Sequence, residues 1–284
     1  MKPLRKRMLE DMQLKGYAAA TQAAYVHAVG RLARHYNKSP DLITEEELRR
    51  YLLAYQKQAA RRSLQIALAA IRFFFEKTLQ RSWPVLQLAH APKARILPVV
   101  LSQAEVRSIL KAVRAPVYRV CLRTIYSCGL RISEGAALQC TDVDSQRMVL
   151  RVRGKGNKDR YVPLAGPTLE SLRDFWKLHR SKPWLFPARL QPRSSQQEGH
   201  ISTDNLRIAF HTARQHSGVS KPARVHTLRH SYATHLMEEG VQLRLIQEIL
   251  GHTSPCTTAI YTHLTAQVLD QITVPLQHLA LNLP

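Results

Sequence analysis

Cysteine is scarce in this sequence, and the four present, Cys121, Cys128, Cys140 and Cys256, show neither a CxxC spacing nor the framework of a disulfide-stapled secreted domain. They read as reduced thiols of a cytoplasmic protein. No apolar run approaches the roughly 18 residues of a membrane span. The basic opening MKPLRKRMLEDMQLKG leads into acidic and polar residues, not into the apolar segment of an export signal. The GxxxxGK[ST] phosphate loop is missing, as is the His-Glu-x-x-His pair of a zinc protease. Glycine and proline, 11 and 15 of 284 residues, are too few for a disordered chain, and no internal repeat or low-complexity tract is evident.

Acidic residues are few as well: 20 Asp plus Glu stand against 42 Lys plus Arg, a formal net charge of +22. The basic residues recur from Arg5 to Arg244 instead of gathering in one tail, so a polyanionic partner is expected, nucleic acid foremost. Membrane-surface and ribosomal proteins carry such charge too, and charge alone does not choose between DNA and RNA. With 45% apolar residues the chain can bury a core, and its length suits two domains.

Tyr25, Val29, Leu32 and Tyr36 fall at i, i+4, i+7 and i+11, which predicts a helix over 20–36. Thr44-Glu45-Glu46-Glu47 reads as a capping box before LRRYLLAY, and Leu64, Leu68, Ile71 and Phe75 repeat the helical spacing. Residues 1–88 are therefore an all-helical domain. Pro84, Pro92 and Pro98, between Trp83 and Leu101, interrupt helix and favour an extended connection, with the linker at 89–100. The second domain, 101–284, opens on a further capping box, Ser102-Gln103-Ala104-Glu105, and a later helix ends near Gly129. From Met148 to Leu164, MVLRVR and RYVPL flank the polar GKGNKD, a β-hairpin with a basic tip. Beyond a Pro- and Ser-rich loop near 187–200, helices resume, punctuated by Gly240 and Gly251. Ser254-Pro255 is placed to start a last short helix carrying Tyr261. The fold class is mainly α with a small β-hairpin.

Four segments could carry chemistry: Gly129-Leu130-Arg131-Ile132-Ser133-Glu134, the tip Gly154-Lys155-Gly156, His226-Thr227-Leu228-Arg229-His230, and Leu250-Gly251-His252 followed by Tyr261. Singly, each has a bland reading. Arg131 suits a solvated helix start, Lys155 a basic hairpin tip, His252 a helix cap, and Tyr261 a half-buried helix tyrosine. His226 and His230, four apart, could face a metal, but Thr227 stands where a zinc protease has glutamate. His226 and Arg229, three apart, instead suit two donors aimed at one phosphate.

Together, and in this order, the segments resemble the tyrosine recombinase, or phage-type integrase, family across residues 100–265. The resemblance implies an all-α core-binding domain followed by a mixed α+β catalytic domain, the two closing around duplex DNA. It implies that Tyr261 takes the DNA 3′-phosphate as a covalent ester, that Arg131 and Arg229 clamp the phosphate, and that Lys155 protonates the leaving 5′-oxygen. His226 and His252 then assist proton transfer and phosphate binding, with Glu134 and His230 in support. These residue types suit phosphoryl transfer, because guanidinium stays charged and offers a planar fork to phosphate oxygens, and charge developing on a phosphodiester is met by fixed donors. An aryl phosphate stores the bond energy, so neither nucleotide nor metal cofactor is expected. Gly135 stands where the family commonly has a bulkier residue, which would loosen that helix start. The implied partners are a double-stranded DNA recombination site and a homotetramer on two duplexes, with an accessory recombinase or DNA-bending protein as a possible addition and no membrane. The apolar tail, including Val268, Leu269, Ile272 and Val274, would pack on a neighbour or on its own domain. A simple Xer-sized recombinase without an added arm-binding domain fits the length. A type IB topoisomerase-like nicking and closing enzyme, or a non-catalytic architectural DNA-binding protein, would share much of this pattern.

Overall fold

Helical periodicity dominates the computed structural model, which describes residues 2–90, 98–154, 159–189, 199–251, 266–281 and 283, with the side chains of the last helix described from residue 272. The chain divides into two units, Met1–Ile96 and Leu97–Pro284. The first contains α1 (Lys2–Leu14), α2 (Ala19–His35), α3 (Glu45–Gln58), α4 (Arg61–Phe73) and α5 (Pro84–Leu88), with a π-helical turn, Phe74–Thr78, closing α4. Thr44 caps α3 as its sequence predicts: the Thr44 hydroxyl accepts from the Glu47 amide and the Glu47 carboxylate accepts from the Thr44 amide. Val29 and Leu32 of α2 meet Ile71 of α4 in a core completed by Leu48, Leu52, Phe74 and Phe75. Ala28, Ala67 and Ala70 form a small buried cluster beside it.

One feature fills in the all-helical reading of the first domain and one departs from the sequence pattern. The segment before residue 20 is helical, because Met8 and Met12, one turn apart, are fully buried in that core. Pro84 opens α5 instead of interrupting helix: at the first helical position its missing N–H costs nothing, and Val85 and Leu86 bury.

The second unit contains α6 (Gln103–Ala112), α7 (Pro116–Ser127), α8 (Ile132–Ala136), then β1 (Val143–Asp144), β2 (Val149–Val152) and β3 (Arg160–Pro163). After these come α9 (Gly166–His179), α10 (Thr203–His216), α11 (Val225–Glu238), α12 (Leu243–Leu250) and α13 (Ala266–Leu281). The strands form one antiparallel sheet in the order β1-β2-β3, with Leu150 opposite both Val143 and Val162. The fold is thus mainly α with a small sheet, as the pattern implies. At the centre lies α7, whose Cys121, Leu122, Ile125 and Tyr126 are buried among the surrounding helices. Ser102 caps α6 through the second predicted capping box. From Ile272 onward α13 packs on its own unit, burying Ile272, Leu276 and Leu279 while Val274 stays exposed. Among the described residues, no helix is long and apolar enough to cross a membrane.

Gly135 does not loosen α8. A Cβ built there would stand 2.5 Å from Ile125 Cγ1 and 2.9 Å from its Cδ1, so Ile125 already fills the space of a larger residue.

Candidate active site

The turn that follows α7 begins the site. Gly129, at φ +59°, reverses the chain, and a Cβ there would lie 2.6 Å from Tyr232 and 2.8 Å from Leu250. Only glycine lets the end of α7 sit this close to α11 and α12. The reversal delivers Arg131 to the start of α8. There the Glu134 carboxylate accepts from the Arg131 amide at 2.8 Å and from Arg131 Nη1 at 2.6 Å.

Arg229 enters from α11. Its Nη1 donates to the Gly129 carbonyl at 2.7 Å and its Nη2 to the Leu250 carbonyl at 2.5 Å, joining the ends of α7 and α12. Those carbonyls sit at helix C-termini, where the aligned peptide dipoles are negative and favour a cation. Glu134 Oε2 lies 3.8 Å from Arg229 Nη1, so the two predicted arginines converge on one carboxylate.

A third cation, Arg160 at the start of β3, completes the cluster, and no sequence motif singles it out. Its Nη1 and Nη2 donate to the two Glu134 oxygens at 3.0 and 2.8 Å, and its Nε to the Ile249 carbonyl at 2.9 Å. Gly251 ends α12 at φ +63°, where a Cβ would stand 2.9 Å from Arg160 Cδ. Side-chain exposures of 42% for Arg131, 11% for Arg160, 3% for Arg229 and 5% for Glu134 grade the cluster from rim to floor.

Electrostatics follow from this geometry. Burial works to raise the Glu134 carboxyl, but hydrogen bonds and charge from Arg160, followed by hydrogen bonds from Arg131, bring it down to about 2. Burial, and then the neighbouring Arg131 and Arg160, lower Arg229 to about 10, so it still carries its proton at neutral pH. Three cations thus surround one carboxylate and leave an excess of positive charge suited to an oxyanion. His226 and His230 pack edge to face on α11 with ring centroids 4.6 Å apart. Burial and the Arg229 charge push His230 below the ordinary imidazole range, which suits a neutral supporting ring. Among the described residues, no group of three or more metal-ligating side chains gathers. Lys155, His252 and Tyr261, together with the short helix expected from Ser254, lie outside the described residues. The structure therefore brings together Arg131, Glu134 and Arg229, and pairs His226 with His230 along the helix that carries Arg229.

This chain matches the phage integrase family over residues 99–268 and the phage integrase N-terminal SAM-like domain over residues 4–85. It is 46% identical over 266 residues to a Sinorhizobium fredii protein provisionally named as an integrase/recombinase, spanning 92% of this chain and 84% of that protein. It is 30% identical over 292 residues to the tyrosine recombinase XerD of Pseudomonas putida, covering 95% of each. Among solved structures it is similar to a lambda integrase tetramer bound to a Holliday junction, with a TM-score of 0.73 and 19% identity, covering 90% of this chain and 78% of that one. At that identity the last likeness is one of fold.

Proposed function

This chain belongs to the phage integrase family of tyrosine recombinases, and from that membership we propose that it is a site-specific recombinase cleaving and rejoining duplex DNA through a 3′-phosphotyrosine on Tyr261. The observation that carries the reading is the convergence of Arg131 and Arg229, from separate helices, on the buried carboxylate of Glu134. Such a cluster holds two guanidinium forks rigidly without neutralising both, which is what an entering phosphodiester requires.

In the proposed reaction the Tyr261 hydroxyl oxygen attacks the scissile phosphorus, and the bond from phosphorus to the 5′-oxygen breaks. Lys155 gives its proton to that leaving oxygen. Arg131 and Arg229 hold the non-bridging oxygens as charge builds on them. His226 and His252 bind the phosphate and take up the tyrosine proton, and Glu134 and His230 support the arginines and His226. The 5′-hydroxyl of a partner strand then attacks the aryl phosphate, so no external energy source is consumed. We place this chemistry in the cytoplasm, on two duplexes held by four copies of the chain. Its excess of 42 basic over 20 acidic residues supplies salt-sensitive affinity for the DNA backbone.

Covalent trapping tests this reading. Wild type and Tyr261→Phe are incubated with nicked duplexes from the neighbourhood of the gene, denatured, and examined for protein-linked DNA. A chelator-resistant adduct that disappears in Tyr261→Phe is the expected result. Tight binding with no adduct on any duplex would overturn the catalytic reading.

A further inference from the structure

Arg160 touches both the Glu134 segment and the end of α12, yet it belongs to none of the motifs that define the site. It leaves β3 at the base of the hairpin, engages both oxygens of Glu134 across 26 residues of sequence, and holds the Ile249 carbonyl across 89. At only 11% exposed, its guanidinium has little room for a second orientation while Gly251 lies against its side chain. Glu134 in turn is the carboxylate that Arg131 engages, and it lies 3.8 Å from Arg229. The direction of the rim arginine is therefore tied to a carboxylate that Arg160 grips at both oxygens, alongside the bond from the Arg131 amide.

We propose that Arg160 is a positioning residue of the recombination site: through Glu134 it aims Arg131 at the scissile phosphate, and through Ile249 it fixes the end of α12 from which the chain runs on to His252. This rests on the reading of Arg131 as a phosphate clamp. A bidentate pair supplies this service where a single point charge would not, because two parallel bonds fix the carboxylate plane as well as its place. Misaimed donors are costly, since a displacement of about 1 Å lowers a rate on the order of a hundredfold.

The test compares two substrates built on the duplex that yields the Tyr261 adduct: one with the native scissile phosphate, one with a methylphosphonate there. The methylphosphonate lacks the negative non-bridging oxygen that the clamp neutralises, so a defect in the clamp matters less on it. On native phosphate, single-turnover cleavage at saturating protein should fall about a hundredfold in Arg160→Met and about tenfold in Arg160→Lys, which keeps the charge but loses the fork. DNA affinity should change little. On the methylphosphonate both deficits should shrink to less than about threefold, in parallel with Arg131→Ala. Equal deficits on both substrates for the Arg160 variants, with Arg131→Ala still rescued, would overturn the positioning role alone. Failure of Arg131→Ala to be rescued would overturn the clamp reading, and the positioning role with it. Should Arg160→Met not fold, Arg160→Lys carries the same comparison.

Discussion

Replacing Glu134 by Gln removes one charge and almost no volume, and the structure gives the cost. The carboxyl is held at about 2 against an ordinary 4.5, so at 1.36 kcal/mol per pH decade its ionised form contributes about 3 kcal/mol of stability at neutral pH. A glutamine would also turn amide protons toward arginine donors in a place where Glu134 is 5% exposed. For a unit of this size, ~3 kcal/mol lowers the melting temperature by about 6–12 °C. Because the folded-state value is depressed, the stabilisation is complete above the unfolded value near 4.5 and is lost as pH falls through about 2. The difference between wild type and Glu134→Gln, measured by urea unfolding, should therefore be about 3 kcal/mol at pH 7 and shrink to about 1.5 kcal/mol at pH 3. A gap below about 1 kcal/mol at pH 7, or one that does not narrow on acidification, would refute the claim that this carboxylate is the site's electrostatic anchor.

Other outcomes can be checked independently. Gly135→Ala should cost about 1–3 kcal/mol by overpacking against Ile125, and much less in an Ile125→Ala background; a denaturant double-mutant cycle reads the coupling. Asp142, buried beneath β2, accepts from the Gln139 amide at 2.9 Å and from Arg153 Nη2 at 2.9 Å. Asp142→Asn should lower stability by about 1–3 kcal/mol, seen as a shifted urea midpoint. Burial lowers His235, whose Nδ1 lies 2.7 Å from the Tyr126 hydroxyl. By NMR it should titrate below the ordinary 6.5, and the stability owed to its neutral form should be complete above 6.5 and fall as pH drops through its folded-state midpoint. A His235 midpoint at or above 6.5 would contradict that burial effect.

What the sequence disclosed and what it hid divide by the range of the interactions. Thr44 with Glu47, Ser102 with Glu105 and the turn at Gly129 are decided within a few residues, and each appears in the structure where the pattern places it. α1 falls inside the all-helical 1–88 region without a spacing of its own to announce it, because its apolar side, Leu4, Met8, Leu9 and Met12, is set among Arg5, Lys6 and Arg7. Pro84 misled because its effect on a helix depends on whether it stands first or later, and the burial of Val85 and Leu86 decided that. Arg131, Glu134 and Arg229 were legible through motif order. Arg160 was not, since an arginine at a strand start looks ordinary until folding brings Glu134 and Ile249 to it. Its one sequence signal is Gly251, whose missing side chain leaves room for it.

The hydrogen bonds that Arg229 donates run to the backbone, to the carbonyls of Gly129 and Leu250, while Glu134 lies beside it as an ion-pair partner. Every amino acid supplies such a carbonyl, so replacing Leu250 leaves the acceptor where it is. Adding or deleting one residue along α12 does not: each residue turns the helix by about 100° and shifts it by about 1.5 Å, swinging the acceptor out of reach. For this tether it is the count of residues that matters and not the letter at position 250, whose side chain answers instead to the packing against Gly129, so the spacing between Arg229 and Leu250 is the inherited quantity.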